Sequence, residues 1–461
     1  MSITAVDPIH LNLPEIVETD AFYDDAENVL YVYCEAARGF TGPCPKCGCF
    51  NYHGHGHTDR RRIHDLSFED MSVDIMLRQR RFKCQEKGCE ETFVEPFDFV
   101  NSGYWMTKRL VRHIARRALI HPFIDTAAEF GITIPTVASI LTEYGKELDA
   151  NREIVAPRVL GIDEVHIGGK MRGVFIDVEK SELLEITPDN KIPTMLDTIQ
   201  NMKGYLDIEI ATMDMSNGYR NLITDHTNAS IIVDRFHVVR YIYSAADAAK
   251  RIIIKSLREQ LKEDPDSENK RYKEELLTKV AKDVYMFKFS DAKLSSNPSR
   301  AILMSEVCST FPEFNTLRNV KLYAEAIYNS ENAVDATARI QAFPDHVPKG
   351  PVFAEFRKFG RMVNRWLPEI VNYFIHGKKF TNSTTEGLNA YIKQISGSGR
   401  GYKYETLRIK CLHHPKVRVE HNLKSRKKPE IPYSEFTFGF SNTIQYNSDI
   451  SRILEYGDEI F

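Results

Sequence analysis

The sequence predicts a multidomain α+β protein: a cysteine-bearing β domain, a pair of short helices, and a mixed α/β domain interrupted by a long all-helical insertion. Three observations predict it. Five cysteines, Cys44, Cys47, Cys49, Cys84 and Cys89, are gathered between positions 44 and 89. Strand-like and helix-like runs alternate from Ala156 to about residue 240, the pattern of a mixed sheet. From there to about residue 380 the apolar residues keep helical spacing among many charges, over a length no loop reaches. With 461 residues, one hydrophobic core cannot serve the whole chain, and roughly three domains are expected.

The first domain covers residues 1–100. "CPKCGCF" (Cys44–Phe50) and "RFKCQEKGCEETF" (Arg81–Phe93) are two knuckles, C-x2-C and C-x4-C. Each tight turn presents two thiolates, and two such turns complete a tetrahedral zinc site. The expected ligands are Cys44, Cys47, Cys84 and Cys89, with Cys49 as a spare. Between them "MSVDIMLRQRRFKC" alternates apolar and polar residues and reads as strand. A structural zinc contributes roughly 10–16 kcal/mol of apparent folding free energy in peptide-sized domains, which a small, charged, loop-rich segment needs. "HGHGH" (His53–His57) places three histidines on one face if extended. That face is either a second metal site or, as the plainer reading, a polar strand beside the ribbon. "DRRR" and "RQRR" add basic character.

The compartment bears on these cysteines. No apolar stretch approaches bilayer length, and "MSITAVDPIHLNLPEIV" lacks the charged and apolar regions of a signal peptide. A cytoplasmic location is expected, where thiols stay reduced and clustered cysteines point to metal before disulfide.

Residues 101–155 read as helical. "TKRLVRHIARRALI" puts Leu110, Ile114 and Ala118 at helical spacing, with Arg109, Arg112, Arg116 and Arg117 around them. A second helix leads into Gly131, and a third starts near Ile134 with Val137, Ile140 and Leu141 inward. Two helices joined by a short glycine-bearing turn describe a helix-turn-helix, though an ordinary helical hairpin has the same pattern. As a groove reader, the later helix would present Thr133, Thr136 and Ser139.

The α/β domain starts at residue 156. Strands are expected over Arg158–Ile167, Arg172–Val178, Glu182–Thr187, "LDIEIATMD" ending at Asp214, and "SIIVDRFHVV". Residues 241–380 form the helical insertion, and 381–415 return to the core through an amphipathic helix with Leu388, Tyr391, Ile392 and Ile395 inward. Residues 416–461 are a basic and aromatic tail. Net charge is only −3, but thirteen Lys/Arg face three acids between Gly377 and Lys428. Lys393, Arg400 and Lys403 lie there, on either a solvated tail or a phosphate-facing surface.

Three carboxylates stand at telling places: Asp163 inside the first strand of this domain, Asp214 at the end of the fourth, and Glu386 in the first turn of the late helix. Each has a plain alternative. Asp163 could pair with a buried arginine, Asp214 could be solvated, and Ser383 with Glu386 fits a capping box. Together they fit phosphodiester chemistry, in which two Mg2+ ions stabilise the attacking and leaving oxygens. Mg2+ takes hard carboxylate oxygens, Mn2+ can substitute, and the ions would let Asp163 stay ionised in an apolar strand. On this reading Asp163 bridges both ions, and Asp214 and Glu386 each complete one site.

The words "CPKCG", "LGIDE", "MDMSNGYRN", "IIVDRFHVV" and "STTEGLNAYIKQI", in this order, resemble the ISL-three family of bacterial insertion-sequence transposases from about Cys44 to Cys411. The resemblance implies an RNase H-like nuclease carrying Asp163, Asp214 and Glu386, and a DNA strand-transfer role. It also implies that Asp234 and His237 form an Asp-x-x-His support after the fifth strand, Asp214 rather than Asp234 being the second acid by strand order. The implied partners are the element's terminal inverted repeats and target DNA, in at least a dimer, within the bacterial cytoplasm at the nucleoid. Two rivals are a zinc-dependent DNA-binding regulator that no longer cuts, and an RNase H-like nuclease that does not transpose.

Overall fold

The computed structural model describes residues 3–6, 10–263, 267–289, 293–294, 296–381, 383–399 and 401–414. The expected tail at 416–461, Arg400 and the side chain of Ser383 lie outside the described residues. The chain divides into two compact units. One is Met1–Arg152 with Glu405–Pro415, and the other includes Glu153–Tyr404.

The first unit is more than a zinc ribbon. β1 (Ile3–Ala5), β2 (Ile16–Asp24), β3 (Val29–Ala36), β5 (Arg61–Phe68), β6 (Met71–Arg78), β9 (Val100–Asn101) and β10 (Met106–Thr107) make one sheet, ordered β1-β2-β3-β6-β5-β10-β9. Alternation along β3 and β6 sends Leu30, Val32 and Cys34, and Val73, Ile75 and Leu77, into one core with Ile63. The expectation of a loop-rich segment held mainly by metal is corrected here, because this sheet buries an apolar face of its own. The ribbon is a separate three-stranded sheet, β4 (Tyr52–His57), β7 (Arg80–Cys84) and β8 (Thr92–Val94), ordered β4-β7-β8.

Three helices follow: α1 (Lys108–Ile120), α2 (Phe123–Phe130) and α3 (Ile134–Ala150). Thr107 caps α1 by accepting from the Leu110 amide, and Thr133 caps α3 by accepting from that of Thr136. Each such cap is worth about 1 kcal/mol. Gly131 ends α2 at φ +62°, where a side chain would be strained. Ile114, Val137, Ile140 and Leu141 are buried as the spacing predicts. Residues 405–413 also belong to this unit, whereas the sequence places them with the catalytic core. Ile409 seats against Gly145 of α3, and Lys410 donates to the carbonyls of Ala118 and His121 at the end of α1.

The second unit contains β11 (Val159–Ile167), β12 (Lys170–Asp177), β13 (Glu182–Ile186), α4 (Ile192–Gln200), β14 (Ile210–Met213), α5 (Asn217–His226) and β15 (Ser230–Val233). The sheet order is β13-β12-β11-β14-β15. The first three strands run antiparallel, while β11, β14 and β15 run parallel. Strand β15 stops at Val233, earlier than expected. Asp234 caps α6 (Arg235–Lys262), accepting from the amides of Phe236 and His237. The helical region continues with α7 (Ser267–Lys282), α8 (Pro298–Thr310), α9 (Pro312–Ala326), α10 (Ala333–Ala342), α11 (Ala354–Arg365) and α12 (Leu367–Ile375). The described chain closes with α13 (Ser383–Ser398) and α14 (Tyr404–His413).

Candidate active site

The parallel register aligns the acids. Ile162 pairs with Met213, and Met213 with Val233, so the next residues, Asp163, Asp214 and Asp234, stand in a row across three neighbouring strands. Adjacent strands are about 4.8 Å apart. β14 and β15 end here, while β11 runs on beside β12 to Ile167, which opens a cleft at this edge.

Successive residues of a strand face opposite sides. Asp163 therefore faces the side of Gly161, where α13 packs, and a Cβ added at Gly161 would lie 3.1 Å from Thr385 Oγ1. Asn389 of α13 donates to Asp163 Oδ2 at 2.7 Å, and the Glu164 amide donates to Oδ1. Glu164 faces the other side, where the Tyr219 hydroxyl of α5 donates to it at 2.5 Å. On α13, Glu386, Asn389, Ala390 and Lys393 form one helical stripe along a cavity of about 660 Å³. Asp163, Glu164, Asp214, His237 and Arg240 line the same cavity.

Asp163, Asp214, Glu386 and His237, expected together from the sequence, line this cleft, and so does Lys393, expected on the basic surface. Sequence reasoning misses Glu164, Asn389 and Arg240. Asn389 is one turn beyond Glu386 and Arg240 one turn beyond His237, so helical periodicity was the signal. Among the described residues, the carboxylate and imidazole group whose ligand atoms all lie within 4.8 Å of one another is Asp214, Asp234 and His237. Asp163 and Glu386 line the cleft outside that close group. His237 Nδ1 is 2.8 Å from Asp234 Oδ2 and 2.9 Å from Asp214 Oδ1.

The electrostatics call for a cation. Burial and the neighbouring Asp214 carboxylate push Asp163 up to about 7. Glu386 is pushed up by partial desolvation and by Asp234 and Asp214. The carboxylates of Asp214 and Asp234 pull His237 up to about 10. Asp214 Oδ1 is buried beside the His237 imidazole, and Asn389 Oδ1 is buried without a hydrogen bond. Crowded acids with raised affinity for protons fit hard divalent cations.

In the first unit, Cys44, Cys47, Cys84 and Cys89 come together, all four sulfurs lying within 4.8 Å of one another. Cys44 and Cys89 sulfurs are 3.8 Å apart, and those of Cys47 and Cys84 3.6 Å. Vertices of a tetrahedron with Zn–S bonds of about 2.3 Å are ~3.8 Å apart, so the cage has zinc dimensions. Gly48 at φ +74° and Gly88 at φ +86° make the two turns. Cys49 is outside the cage; its carbonyl accepts from the Cys44 amide. The His53–His57 segment is the exposed strand β4, and its histidines join no metal-sized group among the described residues.

The basic helix is divided. Arg109 is bound by Asp65 and the Leu11 carbonyl, and Arg117 by Glu129. Arg112 and Arg116 are exposed, Arg112 standing 3.9 Å from Glu147. Thr133 and Ser139 are exposed and Thr136 half-buried; Thr133 bonds to Thr136, and Ser139 accepts from Tyr104. Lys403 is exposed. No single helix among the described residues is long and apolar enough to cross a membrane.

Comparison with known families gives two matches. Residues 160–411 match a DDE-type transposase family of the ISL-three (ISL3) group, described as transposase. Residues 41–89 match the zinc-finger of transposase IS204/IS1001/IS1096/IS1165. No curated protein matches the chain. The first match spans more than half of the sequence and contains every acid of the cleft, and the second contains all four cage cysteines: the chain belongs to the ISL-three family of transposases.

Proposed function

We propose that the protein is a DNA transposase with an RNase H-like catalytic core, which binds the terminal inverted repeats of its element, nicks the DNA ends and joins them to a target. The observation that carries this reading is the meeting of Asp163, Asp214 and Glu386, from segments far apart in sequence, on one open cleft. The sheet order β13-β12-β11-β14-β15, with three antiparallel strands and then two parallel ones, supports the RNase H-like core.

Asp163, Asp214 and Glu386 are the proposed ligands of two Mg2+ ions, for which Mn2+ can substitute. When bound, the ions would stabilise charge on the attacking and leaving oxygens of a phosphodiester. The protein's part is positioning. Asn389 holds Asp163 Oδ2 and the Glu164 amide holds its Oδ1, which fixes the carboxylate in the cleft. Asp234 is committed to capping α6 and to His237, which suits a supporting role, while Asp214 lines the cleft itself. Lys393 and Arg240, at the rim of the cleft, suit the phosphates flanking the scissile bond.

In the first unit, α2 and α3 cross at 107° around Gly131, within the range of helix-turn-helix pairs, and this supports α3 as the base reader through Thr133, Thr136 and Ser139. Arg112 and Arg116 are the proposed phosphate contacts of α1. Arg109 and Arg117, bound internally, would stiffen that helix. The four-cysteine cage would hold one structural Zn2+, and joining two DNA ends calls for at least a dimer.

The test is cleavage of terminal-repeat DNA with Mg2+ or Mn2+ by the full chain and by Asp163→Ala. Cleavage in the wild type that the substitution abolishes supports the assignment. Equal cleavage by both removes it, and binding indifferent to the repeat sequence removes the specificity claim.

A further inference from the structure

Helix α6 leaves the cleft at Asp234 and runs for 28 residues, about 42 Å at 1.5 Å per residue. At about 100° per residue, His237, Arg240, Arg251, Lys255, Arg258 and Lys262 fall within ~60° of one another. One narrow stripe therefore starts at the cleft imidazole and continues as five cations. The opposite face is buried through Ile242, Ala246, Ala249, Ile253 and Leu257, so the stripe is turned outward.

Three hollows succeed one another along it. The catalytic cleft, about 660 Å³, is bounded by Tyr241; the next, about 580 Å³, by Tyr241, Arg251 and the Lys358–Glu355 pair of α11; the third, about 600 Å³, by Arg251, Lys255, Arg258 and Lys262 with the acids Asp247 and Glu259. Tyr241 borders the first two and Arg251 the last two, so the three hollows follow α6 in sequence.

These cations differ from several arginines of the same unit. Arg158, Arg220, Arg300 and Arg339 each pair with a carboxylate. Arg251, Lys255, Arg258 and Lys262 are exposed, and none has an acidic partner among the described residues. Asp247, the acid nearest the middle of the stripe, is engaged by Lys288 at 3.2 Å. Four outward cations at one- and two-turn spacing, with no internal partner, constitute an anion surface. From Arg240 to Lys262 the stripe spans ~33 Å, close to the ~34 Å of one turn of duplex DNA.

We infer that the outward face of α6 is a backbone track for DNA, holding about one helical turn of the duplex that leads away from the scissile phosphate. The inference rests on the nuclease reading of the cleft and adds to it the surface of the helical insertion that grips the substrate. The track carries no base-reading role; its contacts are to phosphate and independent of sequence.

The experiment uses the full chain and its quadruple variant Arg251→Gln/Lys255→Gln/Arg258→Gln/Lys262→Gln, with matched melting transitions and zinc content as the folding control. Affinity for a 30-base-pair terminal-repeat duplex is measured from about 50 to 200 mM salt. Four lost phosphate contacts should lower the salt slope by about 3.6, so the wild type should lose ~150-fold more affinity over that range than the variant. Shortening the duplex below ~10 base pairs beyond the nick should weaken the wild type and leave the variant unchanged. Arg251→Gln and Arg258→Gln alone should each lower the slope by about 0.9, which keeps the test open if the quadruple variant does not fold. An unchanged slope in the variants, with wild-type cleavage intact, overturns the track alone. Failure of the wild type to cleave overturns the nuclease reading, and the salt slope still judges the track. Polyglutamate binding as tightly as DNA would overturn the assignment to DNA.

Discussion

Asp163 should make divalent-ion binding depend steeply on pH. Metal binds the ionised carboxylate, so affinity follows the fraction ionised. Burial and Asp214 raise this group to about 7. The ionised fraction is then about 90 % at pH 8 and about 3 % at pH 5.5, and Mn2+ affinity should fall ~30-fold across that interval. An ordinary aspartate would change affinity there by a few per cent. Isothermal titration of Mn2+ into the full chain measures this directly, and buffers of different ionisation enthalpy count the protons released. Asp163→Asn is the matched control. A proton displaced from His237 would add a slope of its own, but that slope survives the substitution, so the difference between the two profiles reports Asp163. Affinity constant within twofold from pH 5.5 to 8, or a profile identical in Asp163→Asn, would refute the reasoning.

Three further outcomes are expected. His237 is raised to about 10 by Asp214 and Asp234, so its stabilisation is complete below its ordinary value near 6.5 and is lost as pH rises through about 10. Thermal melts of metal-free protein should therefore fall between pH 8 and 10.5, and His237→Gln should flatten that segment. Zinc chelation, or Cys84→Ser, should release one equivalent of zinc and remove hydrogen-exchange protection from β4, β7 and β8 while β3 and β6 keep theirs; continued protection of the ribbon would count against a structural metal. Gly145→Ala should destabilise the first unit by about 1–3 kcal/mol, since its Cβ would stand 2.2 Å from Ile409 Cδ1. Ile409→Val should recover part of the loss in urea titrations.

The cleft was legible because its acids contradict their surroundings. A carboxylate in an apolar strand, a second at a strand end and a third opening a helix are local anomalies, and local anomalies can be read from one chain. The same is true of the knuckles, whose ligands are spaced by turn geometry. What could not be read depends on remote partners. Arg109 looks like a surface cation until Asp65 of β5 is placed beside it. "SIIVDRFHVV" reads as one strand because apolar runs are ambiguous in period, and the boundary becomes visible only when Asp234 is seen capping α6. The short strands of the seven-stranded sheet are too weakly patterned, and too distant in order, to announce a shared sheet. Residues 405–413 adjoin α13 in sequence and so seem part of the core, but the notch at Gly145 that accepts Ile409 lies in the other unit.

That last placement bears on biosynthesis. The first unit is interrupted after Arg152 and regains its final helix only at residue 405. At about 5–20 residues per second, the ribosome delivers that helix roughly 13–50 s later. Until then the notch at Gly145 and the carbonyls of Ala118 and His121 wait without Ile409 and Lys410. An amino-terminal fragment ending near Arg152 would be held permanently at this half-made stage, and a messenger broken anywhere between residues 153 and 404 would yield a first unit that never closes.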